Sequence, residues 1–314
     1  MTDAVIRVVA AGPHVSVQDG GRPGLARFGV PHSGPMDRIA LAAGNTVLGN
    51  DPGQAGIEVS LGGLMLECLH GELGFAVAGG GFVIDHAGQR HHGWFGSTLR
   101  AGEKLVIRPG FWGTWACLAL AGRVEADAWL GSRATHVPSG LGGGKVVAGQ
   151  VLRVSDTRAL PQDVAIPVPV FALPRHKLHV TLGPQDDLFP DHAMQDFLHG
   201  QFRLGSAYDR MGVRLTGPAL VPESALDIAS GPIARGSVQV DGQGVATVLL
   251  ADHQTTGGYP RIATVLDADL DAFVQLRPGD QLRFRAVSAD EATAIARTKR
   301  QTTARYLDAL RRRG

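Results

Sequence analysis

The segment ADHQTTGGYPR, residues 251–261, carries more hydrogen-bonding side chains than a simple turn requires. It follows the apolar run VATVLL at 245–250 and places a carboxylate, an imidazole, a carboxamide, hydroxyls and a guanidinium around two glycines. Hydroxyl, carboxamide and flexible N–H donors can surround a carbonyl oxygen, and Asp252 can accept a proton or orient Arg261. The segment therefore predicts a recognition loop whose catalytic groups are Asp252, Gln254, Thr255 and Thr256, and whose substrate-binding groups are Gly257, Gly258, Tyr259 and Arg261.

Two further segments concentrate polar groups beside glycines. SVQDGGRPG at 16–24 runs into RFGVPHSGPMDR at 27–38, and YDRMGVRLTG lies at 208–217. From the stretch that covers 16–38 we predict that Asp19, Arg22, His32 and Ser33 bind substrate. An Asp-Gly hairpin turn explains Asp19 and Gly20 equally well. In the 208–217 segment we predict that Asp209 binds substrate and that Arg210 is catalytic. A guanidinium fork such as that of Arg210 suits a carboxylate. An Arg–Asp pair that only braces two barrels is the alternative.

A glycine-rich loop, GSRATHVPSGLGGG, occupies residues 131–144. Its backbone N–H groups can cradle an anion, so Arg133, Gly142 and Gly143 are candidate cofactor-binding residues. The loop lacks the Lys-Ser/Thr ending of a P-loop, and a merely flexible loop is the alternative. The acids in GPQDDLFPDHAMQDF, 183–197, open a helix and are expected as caps and dipole partners, so no metal site is predicted.

The composition excludes several classes of protein. The chain has 314 residues, 44% hydrophobic and 19% charged, with a net charge of +1. This balance leaves no excess charge for nucleic acid or an anionic membrane, and no apolar run approaches the ~18 residues of a membrane span. No basic segment followed by a long apolar stretch opens the sequence, and the two cysteines are isolated, so we expect a cytoplasmic protein.

The elements that must position these groups are mainly strands. Short apolar runs bounded by glycine recur along the chain and favour β-barrels, whereas helical periodicity is confined to 36–48, 190–200 and 288–312. A capping box, Ser288 with Glu291, opens the last helix. A proline-rich linker at 157–175 divides a first barrel subdomain, 1–160, from a second, 175–314, which includes the C-terminal helix. Similar stretches, RAGEKLVIR at 100–108 and RPGDQLRFR at 277–285, with AGQVLRV at 148–154 as a looser copy, indicate related halves.

The polar segments together resemble one family. QDGGRPG, GVPHSGPMD, SRATHVPSGLGG, YDRMGVRLTG and ADHQTTGGYPRIATV are similar to the signatures of biotin-dependent carboxyltransferase subdomains A and B, a family that includes allophanate hydrolase subunit 2 and the C subunit of 5-oxoprolinase. The resemblance spans residues 16 to about 285. It implies two cyclophilin-like β-barrel subdomains with few helices.

The resemblance also implies a function. A free-standing member acts as one component of a bacterial ATP-dependent 5-oxoprolinase, with a homologue of the B subunit, of the subdomain C and D type, and a lactam-utilisation protein. ATP is then a co-substrate of the complex, and the substrate is a small amide or ureido compound. Two alternatives remain open: a component of urea carboxylation, and a non-enzymatic antagonist of a kinase-inhibitor homologue. The chain has no biotinyl Met-Lys-Met, so no covalent biotin is expected on it. We also predict that the 254–260 loop, Asp209, Arg210 and the Asp19–Arg22 turn form one shared site facing the partner.

Overall fold

The computed structural model describes residues 3–223 and 228–312. The chain forms two compact units that are interleaved in sequence. The first consists of Met1–Arg22, Ser33–Leu173 and Thr303–Gly314, and the second of Pro23–His32 and Pro174–Thr302. The main boundary falls inside the proline-rich segment, but the last residues of the C-terminal helix belong to the first unit rather than the second.

Two antiparallel sheets surround a single core in the first unit. In the first sheet, the hydrogen-bonded order is β11, β12, β1, β4, β9, β6, β7, and in the second it is β13, β8, β5, β10, β3, β2. Side chains from both sheets, including Ile6 and Phe75, pack in one buried cluster. The thirteen strands are Ala4–Ala11 (β1), Ser16–Gln18 (β2), Gly56–Val59 (β3), Leu64–His70 (β4), Glu72–Ala78 (β5), Val83–His86 (β6), Gln89–His92 (β7), Phe95–Arg100 (β8), Lys104–Arg108 (β9), Ala116–Leu120 (β10), Arg123–Val124 (β11), Val151–Ser155 (β12) and Val164–Ala165 (β13).

The second unit is built on a closed barrel of seven strands. Their order is β14, β21, β18, β19, β16, β15, β22, and only the β14–β22 pair is parallel. A separate two-stranded sheet pairs β17 with β20. The nine strands are Lys177–Leu182 (β14), Phe202–Tyr208 (β15), Gly212–Thr216 (β16), Gly231–Pro232 (β17), Ser237–Val240 (β18), Ala246–Leu249 (β19), Thr256–Gly257 (β20), Arg261–Val265 (β21) and Gln281–Ala286 (β22). The prediction of a mainly β protein with few helices is confirmed. The second of the two predicted barrels is closed, whereas the first unit has two sheets around one core.

Four α-helices occur in the described ranges, and three of them match the predicted segments. They are Arg38–Val47 (α1), Asp191–His199 (α2), Asp267–Phe273 (α3) and Ala289–Arg311 (α4); short 3₁₀ helices occupy Ala26–Phe28, Val170–Ala172 and Asp186–Leu188. The Asp37 side chain caps α1 by accepting from Ala40 N at 2.9 Å. Ser288 Oγ caps α4 by accepting from Glu291 N at 3.2 Å. The prediction that helices occur only in those three segments was wrong, because nothing in the sequence pattern indicated α3. No helix within 3–223 or 228–312 has the length and apolarity needed to cross a bilayer.

The proline-rich segment is not a free linker. Strand β13 pairs with β8 at Val164 and Gly96, and Ile166 N donates to Trp94 O at 2.8 Å. The Asp163 carboxylate accepts from Ser97 Oγ at 2.6 Å. The segment therefore extends a sheet of the first unit, although its prolines removed the alternation that identifies a strand.

The repeated sequence stretches adopt the same turn three times. At 100–103, 147–150 and 277–280, the fourth residue donates its N–H to the first residue's carbonyl at 2.9, 3.2 and 2.9 Å. The side chain of that fourth residue, Glu103, Gln150 or Asp280, accepts in return from the first residue's N–H at 2.8, 3.2 and 2.8 Å. Each third residue is a glycine with positive φ. The likeness between the halves thus reflects a self-closed turn that starts a strand.

Candidate functional site

The 251–261 segment connects three elements of the second unit. It follows β19, forms β20 at Thr256–Gly257, and leads into β21 at Arg261. Strand β20 pairs with β17, and Ile233 N donates to Thr255 O at 3.0 Å. Two strand ends and a short hairpin therefore hold the segment, so its polar groups have fixed positions.

A buried ion pair lies at the start of the segment. Arg210 Nε donates to Asp252 Oδ2 at 2.9 Å and Arg210 Nη2 to Asp252 Oδ1 at 3.0 Å. Arg210 is 2% exposed and Asp252 is fully buried. Arg210 does bind a carboxylate through its fork, as expected from its chemistry, but the carboxylate belongs to the chain. Since Asp252 occupies the fork, Arg210 does not offer it to a ligand in this structure.

Other predicted site residues near this ion pair also have partners within the chain. Asp252 pairs with Arg210, whereas Arg261 donates from Nη1 to Pro232 O at 2.7 Å and from Nε to Gln185 Oε1 at 3.3 Å. Asp209 is exposed and accepts from Met211 N and Gly212 N at 2.7 and 3.2 Å, so it closes its own turn. These three side chains are engaged in holding the barrel ends.

The tip of the segment presents its polar groups outward. Gln254, Thr256 and Tyr259 are exposed. Among the described residues, the Thr255 and Thr256 hydroxyls have no hydrogen-bond partner. The two hydroxyls are therefore available to a ligand, and substrate binding by this segment stays a prediction.

Beneath the tip lies Gln239, a residue that the sequence analysis missed. Its side chain on β18 is 4% exposed, and its Oε1 accepts from Gln254 Nε2 at 3.2 Å. Its own Nε2 is buried and has no hydrogen-bond partner within the part of the chain that the structure describes. A Cβ at Gly257 would lie 2.8 Å from that nitrogen, so glycine there lets the backbone approach the amide. An unsatisfied buried donor costs about 1–3 kcal/mol, so this amide is a candidate donor to a bound carbonyl oxygen.

His253 is the second group that sequence reasoning passed over. Its Nδ1 lies 2.6 Å from Gln254 O, and because a carbonyl only accepts, Nδ1 carries the proton of the neutral ring. Within the described residues, Nε2 has no hydrogen-bond partner and is left as an acceptor. Burial lowers the pKa of His253 below its ordinary value of 6.5, and the charges of Arg235 and His32 lower it further. The ring is therefore a neutral base at pH 7.

This lowered pKa predicts a pH-dependent stability. As pH falls below 6.5, His253 takes up a proton in the unfolded chain but stays neutral in the folded state. The free energy of unfolding therefore decreases. Replacing His253 with glutamine is expected to reduce this acid-side loss of stability. Urea unfolding at pH 7.5 and pH 5.5 measures the difference, with replacement of the exposed His92 by glutamine as the control. Equal pH dependence in wild type and both variants would contradict the prediction.

The N-terminal candidates lie in the first unit and stabilise a loop. Asp19 Oδ1 accepts from Ser132 Oγ at 2.6 Å, and Asp19 Oδ2 accepts from Arg133 N at 2.6 Å. The buried Arg22 donates to the carbonyls of Trp129 and Ala134, and its guanidinium stacks 4.7 Å from the Trp129 ring centre. Both side chains therefore join segments more than a hundred residues apart.

The glycine-rich loop is also internally bonded. Gly143 N donates to Arg133 O at 2.9 Å, and Arg133 Nε donates to Ala126 O at 3.1 Å. A Cβ at Gly142 would lie 2.2 Å from Ala134 O, so this glycine serves close backbone packing. The Gly143 N–H therefore already has an acceptor within the chain, and cofactor binding by this loop stays a prediction.

The remaining predicted residues divide between the two units. Ser33 has a positive φ of 53° and a buried hydroxyl in the first unit, whereas His32 is exposed and belongs to the second, where its charge acts on His253. The candidates thus form one cluster within each unit. The single shared site stays a prediction.

Comparison with known proteins shows which family the chain resembles. The family model described as carboxyltransferase domain, subdomain A and B, matches residues 28–286. The chain is 34% identical to the C subunit of 5-oxoprolinase from Haemophilus influenzae over 98% of each chain, and 31% identical to the protein of the same name in Escherichia coli over 98% of this chain and 97% of that one. The crystal structure of the K. lactis urea amidolyase superposes with a TM-score of 0.84 at 26% identity over 98% of this chain. Our chain spans only 20% of that enzyme. This chain therefore belongs to the carboxyltransferase domain family of subdomains A and B.

Proposed function

We propose that this chain is the C subunit of a bacterial 5-oxoprolinase, which converts 5-oxoproline, ATP and water to glutamate, ADP and phosphate. The observation that carries the proposal is the match in length to two proteins of that name, at 98% and 97% of their chains. The chain works with a homologue of the B subunit, of the subdomain C and D type, and with a lactam-utilisation protein. Cys68 and Cys117 are buried and unbridged, as expected in the reducing cytoplasm, where we place the complex.

The site that we assign to the lactam is the 251–261 segment with Gln239. A lactam carbonyl resists attack because nitrogen donates its electron pair into it. Transfer of the γ-phosphoryl group of ATP to the lactam oxygen forms an O–P bond and releases ADP. Water then adds to the ring carbon and the C–N bond breaks, which frees the amine and leaves an acyl phosphate. A second water hydrolyses the acyl phosphate, which releases phosphate and yields glutamate.

The described side chains have roles that suit these steps. The buried Nε2 of Gln239 donates to the lactam oxygen, and the exposed Gln254 and Thr256 complete its surroundings. The neutral His253 accepts the proton of the attacking water at Nε2. The Arg210–Asp252 pair positions the strand end from which these groups project.

Reconstitution from the purified components tests the proposal. We expect 5-oxoproline-dependent ATP hydrolysis and glutamate formation when this chain, the B-subunit homologue and the lactam-utilisation protein are combined. Omitting this chain is the control and is expected to abolish turnover. A tight one-to-one complex with the B-subunit homologue, but no ATP turnover by any combination, would instead support the antagonist function.

A carboxyltransferase function is the second candidate, because the fold matches that of the K. lactis urea amidolyase. Urea and the ureido ring of biotin present the same planar N–C=O group as the lactam. In that case, the reconstituted proteins carboxylate urea when a carboxybiotin-bearing carrier is supplied and leave 5-oxoproline unchanged. The same assay, run with each substrate, separates the two functions.

A further inference from the structure

A basic cleft lies on the second unit, and it contains none of the residues of the 251–261 segment. Its volume is about 810 Å³, within the range of small-molecule sites. Strands β14 and β22 and the end of α2 line it, and its lining includes no acidic side chain. Its charged and imidazole groups are His176, Lys177, His199, Arg283 and Arg285.

The register of the two strands concentrates positive charge in the cleft. Lys177 lies directly opposite Arg283 in the parallel β14–β22 pair, and both side chains are exposed. Like charges at opposed positions destabilise a sheet. Within the described residues, neither side chain has an acidic partner, whereas Arg285 pairs with Glu291 at 2.6 Å. This uncompensated pair of cations has no function in the fold.

The inward residues of β22 show that the charges are separate from the barrel core. Leu282 and Phe284 are buried, and Phe284 stacks on Phe197 of α2 with ring centres 4.6 Å apart. Arg283 alternates with them and faces the opposite way. The core packing thus fixes β22 against α2, while Arg283 and the opposed Lys177 point away from the core.

We propose that this basic cleft binds the phosphate chain of a nucleoside triphosphate. Several negative charges close together suit two cations that have no acidic partner among the described residues and have imidazoles beside them. The assignment rests on the proposed function, which requires ATP; in the glycine-rich loop, by contrast, the Gly143 N–H is already bonded to Arg133 O.

Calorimetric binding of ATP and of inorganic tripolyphosphate to the isolated full chain tests the proposal. We expect both ligands to bind and to compete, because the phosphate chain is the common element. The double charge reversal K177E/R283E is expected to weaken both by at least about 100-fold, since each lost charge-assisted contact contributes roughly tenfold or more. The matched control is R297E/R300E on the exposed face of α4, which makes the same change in net charge and is expected to alter affinity less than threefold.

The proposal would be overturned if ATP did not bind at millimolar concentration, or if both double variants weakened ATP binding equally. It would also be overturned if K177E/R283E kept wild-type affinity for ATP but lost association with the B-subunit homologue. The last would make the cleft a docking surface for an acidic protein. Because binding is measured on this chain without 5-oxoproline, failure of the reconstituted complex to turn over leaves the ATP result interpretable by itself.

Discussion

Replacing Asp252 with alanine is expected to lower the free energy of unfolding by about 3–5 kcal/mol, because it leaves the Arg210 guanidinium buried without its counter-charge. Both partners are almost inaccessible to solvent, and two hydrogen bonds of 2.9 and 3.0 Å join them. Replacing Arg210 with alanine is expected to have an effect of similar size. Urea unfolding monitored by circular dichroism measures both.

A second ion pair on the same barrel provides the control. Arg214 Nη2 lies 2.7 Å from Asp241 Oδ2, but the Arg214 side chain is 49% exposed. Arg214→Ala breaks this exposed pair and is the control variant. Asp241→Ala is less suitable, because the Asp241 side chain also accepts hydrogen bonds from Gln243 N and Val245 N in its own turn. We expect it to cost about 0–1 kcal/mol. Equal losses for Asp252→Ala and Arg214→Ala would show that burial does not control the strength of the Arg210–Asp252 pair.

Replacing Gln239 with leucine is expected to lower turnover of the reconstituted complex by about 100- to 1000-fold while leaving the chain as stable as before or more stable. Leucine is one methylene shorter than glutamine, and it removes a buried donor that has no acceptor among the described residues. The Oε1 acceptor lost with it bonds only the exposed Gln254 amide, which water can satisfy. A residue that served only the fold would show no such opposition between stability and activity. Turnover of 5-oxoproline and urea unfolding, measured on the same variant, provide the two readouts.

The exposed amide of Gln243 offers the comparison for this experiment, since its side chain lies on the turn between β18 and β19. Gln243→Leu is expected to change turnover less than twofold, well within the effect of a surface substitution. If Gln239→Leu retains wild-type turnover, the buried amide is not the donor to the lactam oxygen.

The barrel strands were predictable because their apolar runs are short, regular and ended by glycine turns. Helix α3 was not, because its sequence, DADLDAF, places Asp269 where an amphipathic helix would carry an apolar residue. Asp269 is 1% exposed, and it accepts from Arg175 Nη1 at 2.7 Å and from His179 N at 2.9 Å. These partners lie about ninety residues earlier in the chain. A buried acid has no signature in its own segment when its counter-charges come from another strand.

The candidate site shows the same limit. The 251–261 segment was identifiable by its density of polar residues, whereas Gln239 lies in SVQV, an ordinary strand whose alternation gives no sign that both faces are covered. The intrachain partners of Arg210 and Asp19 were not predictable for a related reason. Each side chain has the chemistry that the sequence indicated, but a partner from another part of the chain, Asp252 or the 132–134 loop, occupies it. Which ligand a polar group binds depends on tertiary contacts.

The interleaving of the two units has a consequence for biosynthesis. Leu310 is 1% exposed and packs in a buried cluster with side chains of α1, and Tyr306 donates its hydroxyl to Pro167 O at 2.9 Å. A ribosome must therefore translate past the whole barrel of the second unit before this cluster of the first unit can be completed. Nascent chains stalled before residue 303 would expose an apolar surface beside α1 to chaperones, whereas the barrel strands would already be present and able to pair.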